Sequence, residues 1–264
     1  MNKVLMDMSA GISLAFRNIS IQTKEHALGY TWALITPALY AICYIFVKRE
    51  LSGSTGNGSE LDIFRAFTGI MLFQCWMQIV QDMTELVRRN KGMLRGLGVG
   101  PTPLVFAVII EGFVGVVIRT SLILASIPIL GIVMVTNTLN WLLIAVSVLT
   151  LLFSAAAFGI VLAPWSVLYS DIRKALQSIS LPLILISPIF YSAVDNSGSP
   201  LYWINIANPI ASPLAVLNHV IGDTGGGIYL MPMLIWFVLS MLILIWANRS
   251  LKKQIPILLE RLGS

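Results

Sequence analysis

The chain has 264 residues, 57% of them hydrophobic and only 11% charged, with a formal charge of +5. Soluble domains run at roughly 45–50% apolar and about 25% charged, so these proportions exclude an ordinary soluble enzyme. Six long apolar stretches between Tyr30 and Ala247 leave connections too short for a soluble catalytic domain.

The expected fold is all-α. It is a polytopic membrane protein with six transmembrane helices, an N-terminal interfacial amphipathic helix, and re-entrant gate helices before the last span. The spans fall at about 30–47, 63–81, 104–135, 141–163, 178–194 and 228–247, each near the 20 residues that cross ~30 Å of hydrocarbon. Residues 1–29 precede the membrane domain (30–248), and residues 249–264 follow it as a cytoplasmic tail.

Residues 10–28 are too polar to span. Leu14, Ile21 and Leu28 recur every seven residues, with Ile12, Phe16 and Ile19 nearby, while Arg17, Lys24, Glu25 and His26 supply a charged side. That pattern suits a helix lying in the interface. The first thirty residues lack the order of a cleavable signal peptide. Pro37 should kink the first span, and the Gly/Ser-rich run 48–62 reads as an outer loop.

The next connection, 85–103, is the most basic stretch, with Arg88, Arg89, Lys91 and Arg95 around Asn90. It predicts a short cytoplasmic helix ended by glycines. The third segment exceeds what a bilayer requires, and Pro128 is a candidate break. A second inner connection, 164–177, carries Asp171, Arg173 and Lys174. The connection 195–227 is rich in proline and glycine, yet Leu201–Ile206 and Ala211–Ile221 are apolar. Short helices re-entering the outer leaflet account for both properties, provided protein or an aqueous cavity surrounds them.

Thirteen of the seventeen Lys and Arg fall in the segments assigned to the inner side, and the 195–227 connection has none. This positive-inside bias puts both termini in the cytoplasm. It explains the basic pI better than a nucleic-acid partner does.

No phosphate-binding GxxxxGK[ST] run, HExxH or GxSxG is present, and the two cysteines, Cys43 and Cys75, both sit in predicted spans. The chain is therefore expected to bind no ATP in the Walker manner, no metal and no cofactor of its own. Only Glu111 and Arg119 lie deep in a span. They read either as interhelical anchors or, for Glu111, as part of an inner gate. Tyr40 and Tyr44 lie one turn apart, and Phe73 and Trp76 three residues apart. Such aromatic faces either stack on sugar rings as channel lining or pack the core.

The run Leu28-Gly29-Tyr30-Thr31-Trp32-Ala33-Leu34-Ile35-Thr36-Pro37 resembles the LG-x-x-W-x-x-x-x-P signature of type-2 ABC exporter permeases. The likeness is to the subgroup exporting capsular polysaccharide, O-antigen or teichoic acid. Asn90-Lys91-Gly92, Glu111 and Asn208-Pro209 fall in matching order. The resemblance implies a homodimer in a bacterial inner membrane, paired with two copies of a separate cytoplasmic ATPase that binds ATP and Mg. It implies coupling through Arg88, Arg89, Asn90, Lys91 and Arg95, bracing by the helix carrying Arg17 and Lys24, and a gate at Asn208 and Pro209. The channel would run between protomers, lined by the first and fifth spans, with periplasmic and outer-membrane export proteins as further partners. The substrate would be a lipid-linked polysaccharide. A type-2 exporter of a drug or smaller lipid is the nearest alternative. A proton-coupled secondary transporter would call for several mid-membrane acids, where the chain offers Glu111.

Overall fold

In hydrocarbon every backbone N–H and C=O must find a partner within its own segment, and the apolar runs of this chain are helical in the computed structural model. It describes residues 3–25, 60–96, 100–129, 137–222 and 225–261, together with single positions at 31, 35, 39, 40, 42, 43 and 46. Most of the expected first span, including Tyr44, and the outer loop up to residue 59 lie outside the described residues. No strand occurs among those described.

The helices are α1 (Lys3–Glu25), α2 (Glu60–Thr84), α3 (Leu86–Arg89), α4 (Lys91–Gly96), α5 (Pro101–Ile129), α6 (Thr138–Leu168), α7 (Ile172–Ile186), α8 (Pro200–Ala207), α9 (Ala211–Val220) and α10 (Leu230–Arg261). A 3-10 turn, Gly226–Tyr229, leads into α10. Four helical stretches are long and apolar enough to cross a membrane: Leu61–Thr84, Pro101–Pro128, Thr138–Leu168 and Gly226–Arg261. They mark the chain as a helical membrane protein.

Contacts fix the relative directions of the five longest helices. Trp76 donates to Ser154 Oγ at 2.9 Å, and further along Ser166 Oγ donates to the Thr84 carbonyl at 2.6 Å, so α2 and α6 run the same way. Ser147 meets Met233, and Phe153 meets Phe237, so α10 runs with them. Helix α5 opposes α2, because Arg119 reaches Gln78 while Glu111 and Asp82 share one cleft. Helix α1 follows α5: Gly11 lies against Pro103 and Phe106, and Asn18 against Glu111.

The seam of α2 and α6 is the core. In the most apolar stretch of α2, 78% is buried, against 17% in α10, so α2 is central and α10 peripheral. Small residues allow the close approach: Ala155, Gly159 and Ala163 recur every fourth position on α6. A β-carbon on Gly159 would lie 2.6 Å from Met83 Cβ and 2.7 Å from the Val80 carbonyl oxygen.

Helix α1 packs along α5 rather than standing alone. Gly11 and Ala15 are buried there, with Leu14 and Asn18 on the same face. Leu5, Ile12 and Phe16 stay exposed on another side.

Three boundaries differ from expectation. The fifth segment was expected at 178–194, but α7 runs Ile172–Ile186. Its 15 residues reach about 22 Å, short of ~30 Å of hydrocarbon. The cause is Pro188, which forces Ser187 into extended backbone (φ −78°, ψ 148°) and ends the helix before it. Helix α6 reaches Leu168, inside the stretch expected as a connection. Helix α10 carries on through the expected tail to Arg261, because Leu251, Ile255 and Leu258 continue its buried face. Pro128 does not break α5 among the described residues, which reach Ile129.

The 195–227 connection holds two short helices, α8 and α9, as its apolar runs suggest. Residues 211–218 of α9 are all buried. Trp236 donates to the Ile206 carbonyl at 2.9 Å, and Tyr229 to the Val194 carbonyl at 2.7 Å, tying both sides of the connection to the start of α10. Gly225 makes the turn at φ +93° and lies against Ala193 and Asp195, a position where any side chain would be strained.

Candidate functional site

The contacts that join α3 and α4 to the rest of the chain sit at one end of the bundle. Thr84 closes α2 by donating to the Val80 carbonyl at 2.7 Å. Glu85 then leaves helical geometry (φ −89°, ψ 2°) and starts a new turn. Leu86 and Val87 enter the core, as does Leu94 one helix later, so α3 and α4 are pinned by their apolar side. Asn90 Nδ2 donates to the Leu86 carbonyl at 2.9 Å and closes the joint between them.

The charges of this element reach four neighbouring helices. Glu85 takes Arg173 of α7 with both oxygens, at 2.5 Å from Nε and 2.9 Å from Nη2. Arg89 Nε donates to the same carboxylate at 3.0 Å, and its Nη1 pairs with Asp82 at 2.6 Å. Burial works against the Arg89 charge, but Asp82 and Glu85 outweigh it and hold the guanidinium above its ordinary pKa. Arg88 reaches the Ser166 carbonyl of α6 at 3.5 Å. Arg95 donates to the Leu259 carbonyl of α10. From α1, Arg17 approaches Met93 of α4 at 3.9 Å. Lys91 is half-buried at the head of α4. Lys24 lies on α1, with its side chain outside the described residues.

A second polar cluster runs along the seam of α2 and α5. Cys75, Gln78 and Asp82 face Glu111 and Arg119 across a cleft of about 30 Å³. Asn18 Nδ2 donates to Glu111 at 2.8 Å, and Arg119 donates to Gln78 at 3.0 Å. Arg119 is buried, and its Nε has no hydrogen-bond partner. Both intramembrane charges therefore hold helices together here. The Asn18 amide links α1 to a charge in a span. Asn18→Leu is expected to remove a charged hydrogen bond contributing about 1.5–3 kcal/mol. Faster hydrogen exchange over residues 11–18 would register the loosened helix.

No protein-family model matches this chain, and no curated protein matches it. The chemistry must then come from the residues.

Phe73 and Trp76 are 2% and 5% exposed, too buried to line a channel in this chain. Trp76 bonds Ser154 and lies 5.8 Å from the Phe158 ring. For this pair the packing alternative holds. Tyr40 is exposed. Asn208 is buried, donates to Ser187 Oγ at 2.9 Å and accepts from the Ile210 amide at 3.0 Å. It thereby joins the end of α7 to the start of α9, with Pro209 buried beside it.

Asp82, Glu85 and Arg173 were not among the expected site residues. Glu85 and Arg89 stand four apart on a helical run, a spacing at which opposite charges meet, and that signal was available. Arg173 lies 88 residues further along and only the fold brings it in.

Proposed function

We propose that the chain is the channel-forming subunit of an ATP-driven type-2 exporter for a lipid-linked polysaccharide. ATP hydrolysis belongs to a separate cytoplasmic subunit. One observation carries the reading: a two-piece basic helix, α3–α4, is joined by named contacts to α1, α6, α7 and α10. An element so connected acts as a lever. A push on its exposed basic surface reaches α7 through Glu85–Arg173 and α10 through Arg95. Rigid-body displacement of helices is how such a push is passed on.

The resemblance in the Leu28–Pro37 run, in Asn90-Lys91-Gly92 and in Asn208-Pro209 adds the family and substrate class. Under this reading the basic end faces the cytoplasm, Asn208 and Pro209 serve the outer gate, and two copies enclose the channel. Helix α7 has no buried side chain within the single chain, as a channel-facing or copy-facing helix requires.

The test is co-purification with the ATPase encoded beside it, followed by ATP hydrolysis in membranes with and without the cell's lipid-linked polysaccharide. A two-plus-two complex whose hydrolysis responds to the glycolipid is expected. An intact chain that binds no ATPase would defeat the proposal. Arg88→Glu with Arg89→Glu is expected to abolish export while the subunit stays in the membrane. Full polymer export by that variant would remove the coupling role.

One observation favours a second reading. Asp82 joins Glu111 in the same intramembrane cleft, giving a proton-coupled transporter two acids rather than one. Transport driven by a pH gradient in vesicles without ATP would select it.

A further inference from the structure

The flank of the bundle carries a groove outside the α3–α4 site. It has a volume of about 340 Å³ and opens between α6 and α10 toward their C-terminal ends. Ile160, Pro164 and Trp165 form one wall, and Ala247, Leu251 and Ile257 the other. Trp165 and Trp246 stand at the lips, 53% and 66% exposed, where an amphipathic ring suits the boundary of hydrocarbon and water.

The polar groups gather at one edge. At 100° per residue, Lys253 falls on the edge of the groove, beside Trp246 and Ile257. Arg249, one turn before it, is exposed on the same side, as is Glu260, the one carboxylate on this stretch of α10, whereas Lys252 falls on the far side of the helix. Inside the groove, Gln254 donates to Ser250 at 3.1 Å, setting a polar pair level with Lys253.

We propose that this groove binds an anionic phospholipid of the leaflet at the basic end. One acyl chain lies between Ile160 and Leu251, and the phosphate sits at Lys253 with Arg249 one turn away. The reading goes beyond export and holds whichever substrate is carried. Apolar walls in a membrane helix pair call for a hydrocarbon occupant, and two cations against one acid at the edge call for a negative head. A second copy fits worse. A two-fold contact presents the same patch on both sides, so it would bring the cations of both copies together.

Each cation near an anionic lipid surface favours it roughly fivefold, so a pair is worth roughly twenty-five-fold. The test is native mass spectrometry of the full chain, exchanged into micelles holding equal phosphatidylglycerol and phosphatidylcholine. Wild-type chain is expected to retain one phosphatidylglycerol in strong preference to phosphatidylcholine. Arg249→Glu with Lys253→Glu is expected to lose that preference, and Ser250→Phe to expel both lipids by filling the groove. Equal retention of the two lipids by wild type overturns the site. So does an undiminished preference in the charge-reversed variant, whose exposed positions do not threaten folding. Phosphatidylglycerol held normally by Ser250→Phe would mean surface attraction alone and also overturns it. A disulfide between copies carrying Ile257→Cys and Cys43→Ser would give the groove to a second copy instead.

Discussion

Under the proposed export function, a chain carrying Glu85→Lys is expected to insert and accumulate normally yet lose transport about tenfold or more. The substitution removes a two-pronged ion pair to α7 and sets a third cation between Arg89 and Arg173. Hydrogen bonds to charged groups contribute about 1.5–3 kcal/mol. Arg173 is 57% exposed, so solvent screening brings the pair nearer ~1 kcal/mol, with like-charge repulsion added. Folding stability of roughly 5–15 kcal/mol survives such a loss. A lever held by few contacts does not, because 1.4 kcal/mol already shifts a conformational equilibrium about tenfold. The check is a double-mutant cycle on thermal stability with Glu85→Gln and Arg173→Gln, beside polysaccharide export by Glu85→Lys. Coupling of about 1 kcal/mol between the two positions is expected. Additive effects with intact export would show that α3 and α7 move independently.

Gly159→Val should have the opposite profile: little chain accumulates, whatever its transport. A β-carbon there meets Met83 Cβ at 2.6 Å and the Val80 carbonyl at 2.7 Å, so α2 and α6 must part. Overpacking a tight site costs about 1–3 kcal/mol when side chains can yield, and more when the obstacle is backbone. Separation would also strain the Trp76–Ser154 and Ser166–Thr84 bonds that span the same seam. Gly92→Ala is the control, since nothing lies within 4 Å of that added carbon. It is expected to keep or raise stability, by up to about 1 kcal/mol. Equal melting of the two variants in detergent would refute the close-packing account.

The long helices were legible because length and hydropathy are local properties. The residues of α2, α5, α6 and α10 advertise themselves without knowledge of their neighbours. Helix α7 was misplaced for a physical reason. Pro182 sits inside the helix and is tolerated, whereas Pro188 ends it, and apolar content alone does not separate the two. The extension of α10 was hidden by its charges: Arg249, Lys252 and Lys253 read as a tail, while Leu251, Ile255 and Leu258 keep it helical.

The site was half legible. Arg88, Arg89 and Arg95 stood out as a basic run, and the structure gives each a partner. Their partners did not stand out, since a carbonyl at Leu259 or an arginine in another connection has no sequence signature. Phe73 and Trp76 show the converse. Aromatic spacing on a helix marks one face, but only packing tells whether that face meets a channel or a neighbour.

The shared direction of α2, α6 and α10 has an electrostatic consequence. Aligned peptide units give each helix a partial negative charge at its C-terminus, and three such ends point the same way. Arg88 and Arg89 follow the end of α2, and Arg261 ends α10. A cation within a turn of such an end offsets the dipole by about 0.3–1 kcal/mol. The gathering of basic residues at one end of the bundle therefore also stabilises its helix ends, and a chain stripped of those cations would forgo that contribution.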